Sequence, residues 1–276
     1  ARIVPVYYVF LFVLYTVRHG DPASLGDEAF KLATWFYVTN IYIEQNGWGT
    51  ELGHLWSLAV EQQFYLLFAP AALFLPRRHL GALCWLLVGI SVLMHGALLW
   101  AGAAPRCFDV DTLANLGLIA LGGLAGLRTR PLPAWLARDA ALAGVLILFV
   151  ILPLLIAPTG WWLILGRLSG VLAALLLLQI VQSPESRTVA ILDNPWLRRI
   201  GVISYAAYLF HVPLHAERVL ALVGIDVAGP RSVSMALDLL LTLLLADLSW
   251  RFLERPARRL LRAPRRRVGA SALVSP

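Results

Sequence analysis

Residues 54 to 65, HLWSLAVEQQFY, set His54, Ser57, Glu61 and Tyr65 at i, i+3, i+7 and i+11, a spacing that lines up one stripe of an α-helix. The stretch is otherwise apolar enough to lie inside a bilayer. A carboxylate at the centre of a membrane helix costs on the order of 3 kcal/mol, so Glu61 calls for a reason. A carboxylate in low dielectric and an imidazole are groups that trade protons near neutral pH, which is what a general acid or base must do. His54 enters at the outer end and Glu61 sits about 10 Å further down the axis, too far for direct contact. A structural reading stays open beside this one, with Glu61 hydrogen-bonded to Ser57 or to a neighbouring helix.

A second polar stripe lies in GVISYAAYLFHVPLHAER, where Ser204, Tyr208, His211 and His215 repeat the pattern i, i+4, i+7 and i+11. From a helix start near Ile200, His211 falls about 16 Å along, near the midplane, and Pro213 should kink the helix by removing a backbone donor. His215, beside Glu217 and Arg218, reads as structural. A third set, Asp247, Arg251 and Glu254 at i, i+4 and i+7, reads as an ion-pair ladder, with an anionic substrate at Arg251 as the functional alternative. Arg167, inside an apolar run, needs an anion, a carbonyl or water. The surrounding GRLSG lacks the spacing of a nucleophile elbow. Cys84 and Cys107 belong about 30 Å apart on an α-helical path, too far for a disulfide. Neither has zinc-type partners, and no metal is expected.

The elements that must position these groups are membrane helices. The chain of 276 residues is 59% hydrophobic and 14% charged, with a mean hydropathy of +0.74. Soluble domains carry about a quarter charged residues. Apolar runs near the length needed to cross a bilayer recur at about 3–18, 54–75, 80–101, 112–127, 139–157, 161–182, 200–222 and 233–253. The expected fold is therefore an all-α polytopic bundle of about eight spanning helices. Arg2, Arg77, Arg78, Arg128, Arg130, Arg138, Arg187, Arg198, Arg199 and the run from Arg255 to Arg267 then fall on one side. That is the cytoplasmic side, which puts both ends there.

The alternation holds when residues 29–43, FKLATWFYVTNIYIE, do not cross, so this segment is read as extracytoplasmic and interfacial. Trp35, Tyr37 and Tyr42 suit an aromatic belt or a lid. The net charge of +7 and the pI near 9.9 are explained by cytoplasmic arginine, not by nucleic acid, for which no reading module is present. Residues 1–254 form one integral membrane domain and 255–276 a basic cytoplasmic tail able to touch anionic lipid. Ala1 opens inside an apparent helix approach, which reads as a truncated start.

Four blocks in order resemble the membrane-bound acyltransferase family 3, whose members O-acylate carbohydrates and other acceptors. They are ARIVPVYY, HLWSLAVEQQFYLLFAP, GVISYAAYLFHVPL and SWRFLERPARR. The resemblance implies a ten-helix bundle, of which the first two helices would precede Ala1. It also implies a first-helix Arg or Lys followed ten residues later by a histidine, a motif that nothing here matches. Of the family's paired arginines three apart, implicated in coenzyme A binding, only Arg2 has a counterpart. PRCFDVDTLANLG departs from the family block, since Leu113 follows Thr112 where an arginine is frequent.

By this resemblance the chain passes an acyl group, acetyl by expectation, from cytosolic acyl-CoA to a hydroxyl of a carbohydrate or glycolipid acceptor. The setting is a bacterial-type inner membrane. Glu61, His211 and His54 are the catalytic candidates. Trp56, Ser57, Tyr65, Tyr205 and Tyr208 are substrate-binding candidates, Arg2 holds acyl-CoA phosphates, and Arg251 with Glu254 makes a structural or substrate ion pair. A proton-coupled transporter or flippase uses the same intramembrane groups differently, and an inactive member of the family binds without reacting.

Overall fold

A computed structural model of the chain describes residues 3–18, 25–128, 130–156, 162–215, 219 and 231–261. Among these residues the structure is helical and contains no strand. In chain order the helices are α1 (Ile3–Val17), α2 (Glu28–Trp35), α3 (Thr39–Asn46), a 3₁₀ turn (Glu51–Leu55), α4 (Trp56–Phe74), α5 (Arg77–Trp100), α6 (Pro105–Val110) and α7 (Thr112–Leu127). There follow α8 (Asp139–Ile156), α9 (Trp162–Gln182), α10 (Arg187–Leu192), α11 (Pro195–Phe210), α12 (Arg231–Ser249), a π-helical turn (Trp250–Glu254) and α13 (Arg255–Leu261). Each apolar run of the sequence overlaps a helix, the run at 200–222 only as far as Phe210. Among the described residues, three stretches are long and apolar enough to cross a membrane: Arg77–Trp100, Pro105–Leu127 and Arg231–Leu260.

Residues 28–46 form two short helices. Asp27 caps α2 by accepting from Phe30 N at 2.7 Å, and the helix stops where Tyr37 takes a φ of +55°. A non-glycine residue in the left-handed region ends an α-helix, and α3 starts afresh two residues later. Each of the two has eight residues, about 12 Å of rise against a hydrocarbon core of about 30 Å.

The chain divides into two compact units, residues 21–198 and residues 1–20 with 199–276. In the first of these, α5 and α7 pack closely. Ser91 donates to the Ala114 carbonyl at 2.5 Å, and Gly117 faces Ser91 so tightly that a Cβ there would lie 2.5 Å from the serine Cβ. Small residues at a helix contact let two backbones approach, the main route to packing where water does not drive association. Phe64, Cys84, Leu87, Leu116 and Ala120 form the adjoining core, with Phe68 stacked on Phe64 at 5.0 Å. Cys84 touches Gly123, so α5 runs antiparallel to α7, whereas Gln63 meets Thr112 and Phe68 lies by Gly123, so α4 runs parallel to it. Arg167 meets Asn115 and Gly170 meets Leu118, which makes α9 parallel to α7 as well. The end of α9 returns to the start of α8, where the buried Gln179 donates to the Leu136 carbonyl at 2.8 Å.

In the other unit, Tyr205 donates to the Ile3 carbonyl at 3.3 Å and the Phe10 and Phe210 rings lie 5.7 Å apart, so α1 and α11 run parallel. Asp247, near the end of α12, is bonded by Arg199 from the start of α11, which makes these two antiparallel around Ile203, Ala206 and Ala246. The helix expected to continue through Pro213 instead stops at Phe210. Proline has no N–H to give and crowds the residue before it out of the α region, so residues 211–213 form a turn in place of a kink. Residues 216–218, with Glu217 and Arg218, and residues 220–222 lie outside the described residues. At the other end, α12 passes through the π turn directly into α13, with Arg258 over the Trp250 ring at 5.6 Å.

Candidate functional site

The first stripe is carried by two kinds of helix. His54 belongs to the 3₁₀ turn, where its Nδ1 pairs with the Glu51 carbonyl at 3.0 Å, and α4 proper starts two residues later at Trp56. A 3₁₀ turn advances three residues per turn instead of 3.6, so His54 departs from the α-helical register that the spacing implied. Ser57 donates back to the His54 carbonyl at 3.4 Å. Glu61 is half-buried, and its partner is neither Ser57 nor another helix: the Tyr65 hydroxyl, one turn on, donates to Oε1 at 2.9 Å. Tyr65 itself is 44% exposed. Glu61 and Tyr65 are thus one hydrogen-bonded pair on the rim of α4, and His54 and Ser57 a second, joined through backbone. Trp56 is half-buried at the first position of α4.

Two residues beyond Glu61, on the other side of the helix, Gln63 organises a polar network that stripe spacing does not reveal. Its Nε2 donates to the Tyr37 carbonyl at 2.9 Å and to Asn40 Oδ1 at 3.0 Å, and its Oε1 accepts from the Thr112 hydroxyl at 2.6 Å. Asn40, fully buried, donates to Thr112 Oγ1 at 2.8 Å and to the Val110 carbonyl at 3.1 Å. The left-handed Tyr37 therefore has a purpose: the bend between α2 and α3 aims its carbonyl at α4. Asp111 caps α7 by accepting from Ala114 N at 2.7 Å. One turn into α7, Asn115 accepts from Arg167 at 2.7 Å, and Arg167 also donates to the Phe108 carbonyl with the Asp109 carboxylate near enough to act on its charge. The partners that Arg167 needed in an apolar run are thus an amide and a carbonyl. The signal for this network was a local one: three amide side chains (Asn40, Gln63, Asn115) and a threonine within runs of strongly apolar sequence.

Beside this network, Arg106 Nε donates to the Glu44 carbonyl of α3 at 3.1 Å. Burial and the nearby Asp111 push the Glu44 carboxyl above the ordinary glutamate range, with the Arg106 charge opposing them.

The second stripe lies in the other unit. Tyr205 holds the start of α1 through the Ile3 carbonyl. His211 is the first residue past α11 and is exposed, with Nδ1 against the Tyr208 carbonyl at 2.7 Å and its ring 5.4 Å from the Tyr208 ring. Ser204 is turned to the Gly201 carbonyl at 3.0 Å. His215 pairs with Asp238 at 3.7 Å, in keeping with a structural role. In the third set Arg251 bonds Asp247 at 2.6 Å, as the ladder reading expects, and Asp247 gains Arg199 as a second cation. Glu254 is fully buried, because the π turn rotates it inward from the α-helical register on which i+7 was counted. Arg2 lies outside the described residues.

Against known proteins, the family model described as an acyltransferase domain, acyltransferase family 3, matches residues 1–216. The chain belongs to this family. It is 28% identical to the putative peptidoglycan O-acetyltransferase YrhL of Bacillus subtilis (strain 168), a match covering 93% of this chain and 44% of that protein. It is 28% identical to the O-acetyltransferase OatA of Staphylococcus aureus (strain NCTC 8325 / PS 47), over 83% of this chain and 40% of the relative. With the peptidoglycan O-acetyltransferase OatA of Listeria monocytogenes it shares 24% identity over 94% of this chain and 45% of the relative. The chain thus spans less than half the length of these curated relatives. No solved structure matches. Both polar stripes, His54 to Tyr65 and Ser204 to His215, fall inside the matched acyltransferase domain.

Proposed function

We propose that this chain transfers an acyl group, acetyl by the family resemblance, from acyl-CoA to a hydroxyl of a cell-wall carbohydrate at the bacterial plasma membrane. The observation that carries this reading is the acyltransferase-domain match across residues 1–216. Relatives described as peptidoglycan O-acetyltransferases favour a cell-wall sugar among the possible acceptors.

A sugar hydroxyl is a poor nucleophile until a base takes its proton, and the thioester carbonyl needs its developing negative charge stabilised. Glu61 supplies the carboxylate. With one oxygen committed to Tyr65, its other oxygen is placed to orient a basic imidazole. His54, on the same segment, is too far up the axis to meet that oxygen without a bridging group, while His211 and Tyr208 line the acceptor or proton route. Arg2 holds coenzyme A phosphates at the cytoplasmic face through charge-assisted hydrogen bonds.

The setting we infer has eight crossings and both ends in the cytoplasm, with α2 and α3 at the outer surface. The helix directions support it. An alternating path requires α1 parallel to α11, α12 antiparallel to α11, α4 and α9 parallel to α7, and α5 antiparallel to α7, and each of these relations holds within its unit.

Membranes bearing the full chain, given radiolabelled acetyl-CoA and peptidoglycan fragments, test the reaction. Glu61→Gln keeps the hydrogen bond from Tyr65 but removes the charge, and should lower turnover by about 100-fold or more, the usual size of a general-base contribution. Unchanged transfer by that variant overturns the mechanism. Movement of a solute across vesicles without consumption of acyl-CoA overturns the reaction itself.

A further inference from the structure

Residues 130–138, which lead from α7 to α8, form an arch braced against the end of α9. Gln182 holds one foot of it, accepting from Leu132 N at 2.8 Å and donating to the Arg130 carbonyl at 3.3 Å. The other foot is held by the buried Gln179, which donates to the Leu136 carbonyl at 2.8 Å, and by Ser183, which donates to the Ala137 carbonyl at 3.4 Å. Arg128 supports the first foot from the α7 side, its Nε on the Arg130 carbonyl at 3.1 Å. Pro131 and Pro133 each fix a φ angle, and the Pro133 carbonyl opens a turn that Leu136 N and Ala137 N close at 2.9 and 3.1 Å. The acyl-transfer chemistry uses nothing on this arch.

What the arch presents outward is positive charge and an indole. Arg130 and Arg138 are exposed, as is Arg187 at the start of α10, and these three guanidinium groups have no partner among the described residues. Trp135 is 64% exposed, whereas Leu132 and Leu136 are half-buried. The arginines belong to one place. The Arg130 and Ala137 carbonyls are taken by consecutive residues, Gln182 and Ser183, so the two ends of the arch lie side by side. Arg187 N donates to Asp139 Oδ2 at 3.2 Å, which sets Arg187 beside Arg138. Two carboxylates share the area. Asp139 is already engaged by Ser186 and by the Arg187 and Thr188 amides, and Glu185 is exposed. With Arg128, four arginines thus stand against two carboxylates.

We propose that this arch binds the phosphate headgroup of an anionic phospholipid, with Arg130, Arg138 and Arg187 around the phosphate and Trp135 set at the hydrocarbon edge. Position decides for a lipid over a soluble phosphate. The stretch Pro105–Leu127 is long and apolar enough to cross a membrane, and the arch follows directly on its end. The end of α9, parallel to α7, abuts the arch, and α8 leaves from it at Asp139. Three apolar helices therefore end at one depth, that of the headgroups. At that depth an indole keeps its ring in the acyl boundary and its N–H in the polar layer, which removes the cost of an exposed Trp135. Clustered arginines at a membrane surface attract anionic lipid, and each guanidinium offers a phosphate two parallel N–H groups. The assignment is independent of acyl transfer and of which side of the membrane the arch faces.

The test uses the full chain in phosphatidylcholine nanodiscs doped with phosphatidylglycerol that carries a photoreactive diazirine on its headgroup. Cross-links read by peptide mass spectrometry should map to residues 130–138 and 183–187 and should fade as salt is raised. Arg130→Gln, Arg138→Gln and Arg187→Gln should each raise the mole fraction of probe at half-maximal labelling about fivefold, the worth of one arginine near an anionic surface. The triple glutamine variant should lose the cross-links, and the triple lysine variant, which keeps the charge, should recover most of them. Trp135→Ala should weaken labelling where Trp135→Phe does not. Should the triple variants fail to fold, a phosphatidylcholine probe with the same diazirine decides the matter on the unaltered chain, where it should leave the arch unlabelled. Equal labelling by that probe, unchanged labelling of a folded triple glutamine variant, or cross-links confined to other basic segments such as 255–261 overturns the proposal. Displacement of the probe by acetyl-CoA more effective than by unlabelled phosphatidylglycerol makes the arch a site for a soluble nucleotide phosphate and overturns the lipid assignment.

Discussion

Replacing Gln63 by leucine removes the hub that ties the α2–α3 segment to α4 and α7. The substitution preserves side-chain bulk and helix propensity. What it deletes is three hydrogen bonds: those given to the Tyr37 carbonyl and Asn40 Oδ1, and the one accepted from Thr112. At a net worth of about 0.5–1.5 kcal/mol each, the loss is about 2–4 kcal/mol. It should be local. The apolar contacts between α4 and α5 through Phe64, Cys84 and Leu87 are untouched, so the helices of this unit stay folded while residues 28–46 open more often. Hydrogen exchange read by mass spectrometry on the full chain should show amides of Glu28–Asn46 exchanging about 30- to 1,000-fold faster, with α5 and α7 unchanged. Asn40→Ala should act on the same peptides. Because Asn40 and Gln63 share a bond, the double variant should cost less than the sum of the single ones. Unaltered exchange across 28–46 in a folded Gln63→Leu protein, or strict additivity with Asn40→Ala, refutes the network as the element that holds this segment.

Gly117→Ala sets a methyl group 2.5 Å from Ser91 Cβ and 3.4 Å from Val88 Cα, neither of which is the free end of a flexible side chain. The α5–α7 pair must separate, at about 1–3 kcal/mol, and thermal unfolding in detergent should report a lower midpoint. Glu44 gives a pH dependence of definite sign. With its folded-state pKa raised by burial and Asp111, the folded protein holds that proton more tightly than the unfolded chain. The contribution therefore favours folding below the ordinary glutamate pKa and is lost as pH rises through the raised value. Glu44→Gln should flatten the stability profile over that interval and raise stability above it, as read from denaturation midpoints between pH 4 and 8; a steeper profile in the variant contradicts this.

The helices themselves were legible because hydropathy and α-helical period are local properties. A backbone in hydrocarbon must satisfy its own N–H and C=O groups, so apolar runs of bilayer length favour helices, and each run is helical over most of its described residues, that of 200–222 only as far as Phe210 before its turn. The run carrying Glu61 was likewise recognisable, since a carboxylate and a histidine in such a stretch stand out by type alone. Where elements end was less accessible. The turn at Tyr37, the 3₁₀ entry at His54, the halt at Phe210 and the π turn at Trp250–Glu254 each change the angle between successive side chains. Spacings counted at 3.6 residues per turn therefore misplaced His54 and Glu254 and missed the turn at His211.

What tertiary structure alone decided is partnership. The sequence declared that Arg167, Asn40, Gln63 and Asn115 carry polar groups in apolar surroundings, and the cost of burying such groups unpaired guarantees that partners exist. It contained nothing to say that Asn40 meets Thr112 across 72 positions or that Arg167 meets Asn115 across 52. Those pairings follow from which helices pack together and in which direction, a property of the whole bundle set by small-residue contacts such as Gly117 on Ser91. Burial cost is local and can be read from one residue; the group that offsets it is chosen by chain segments far apart in sequence.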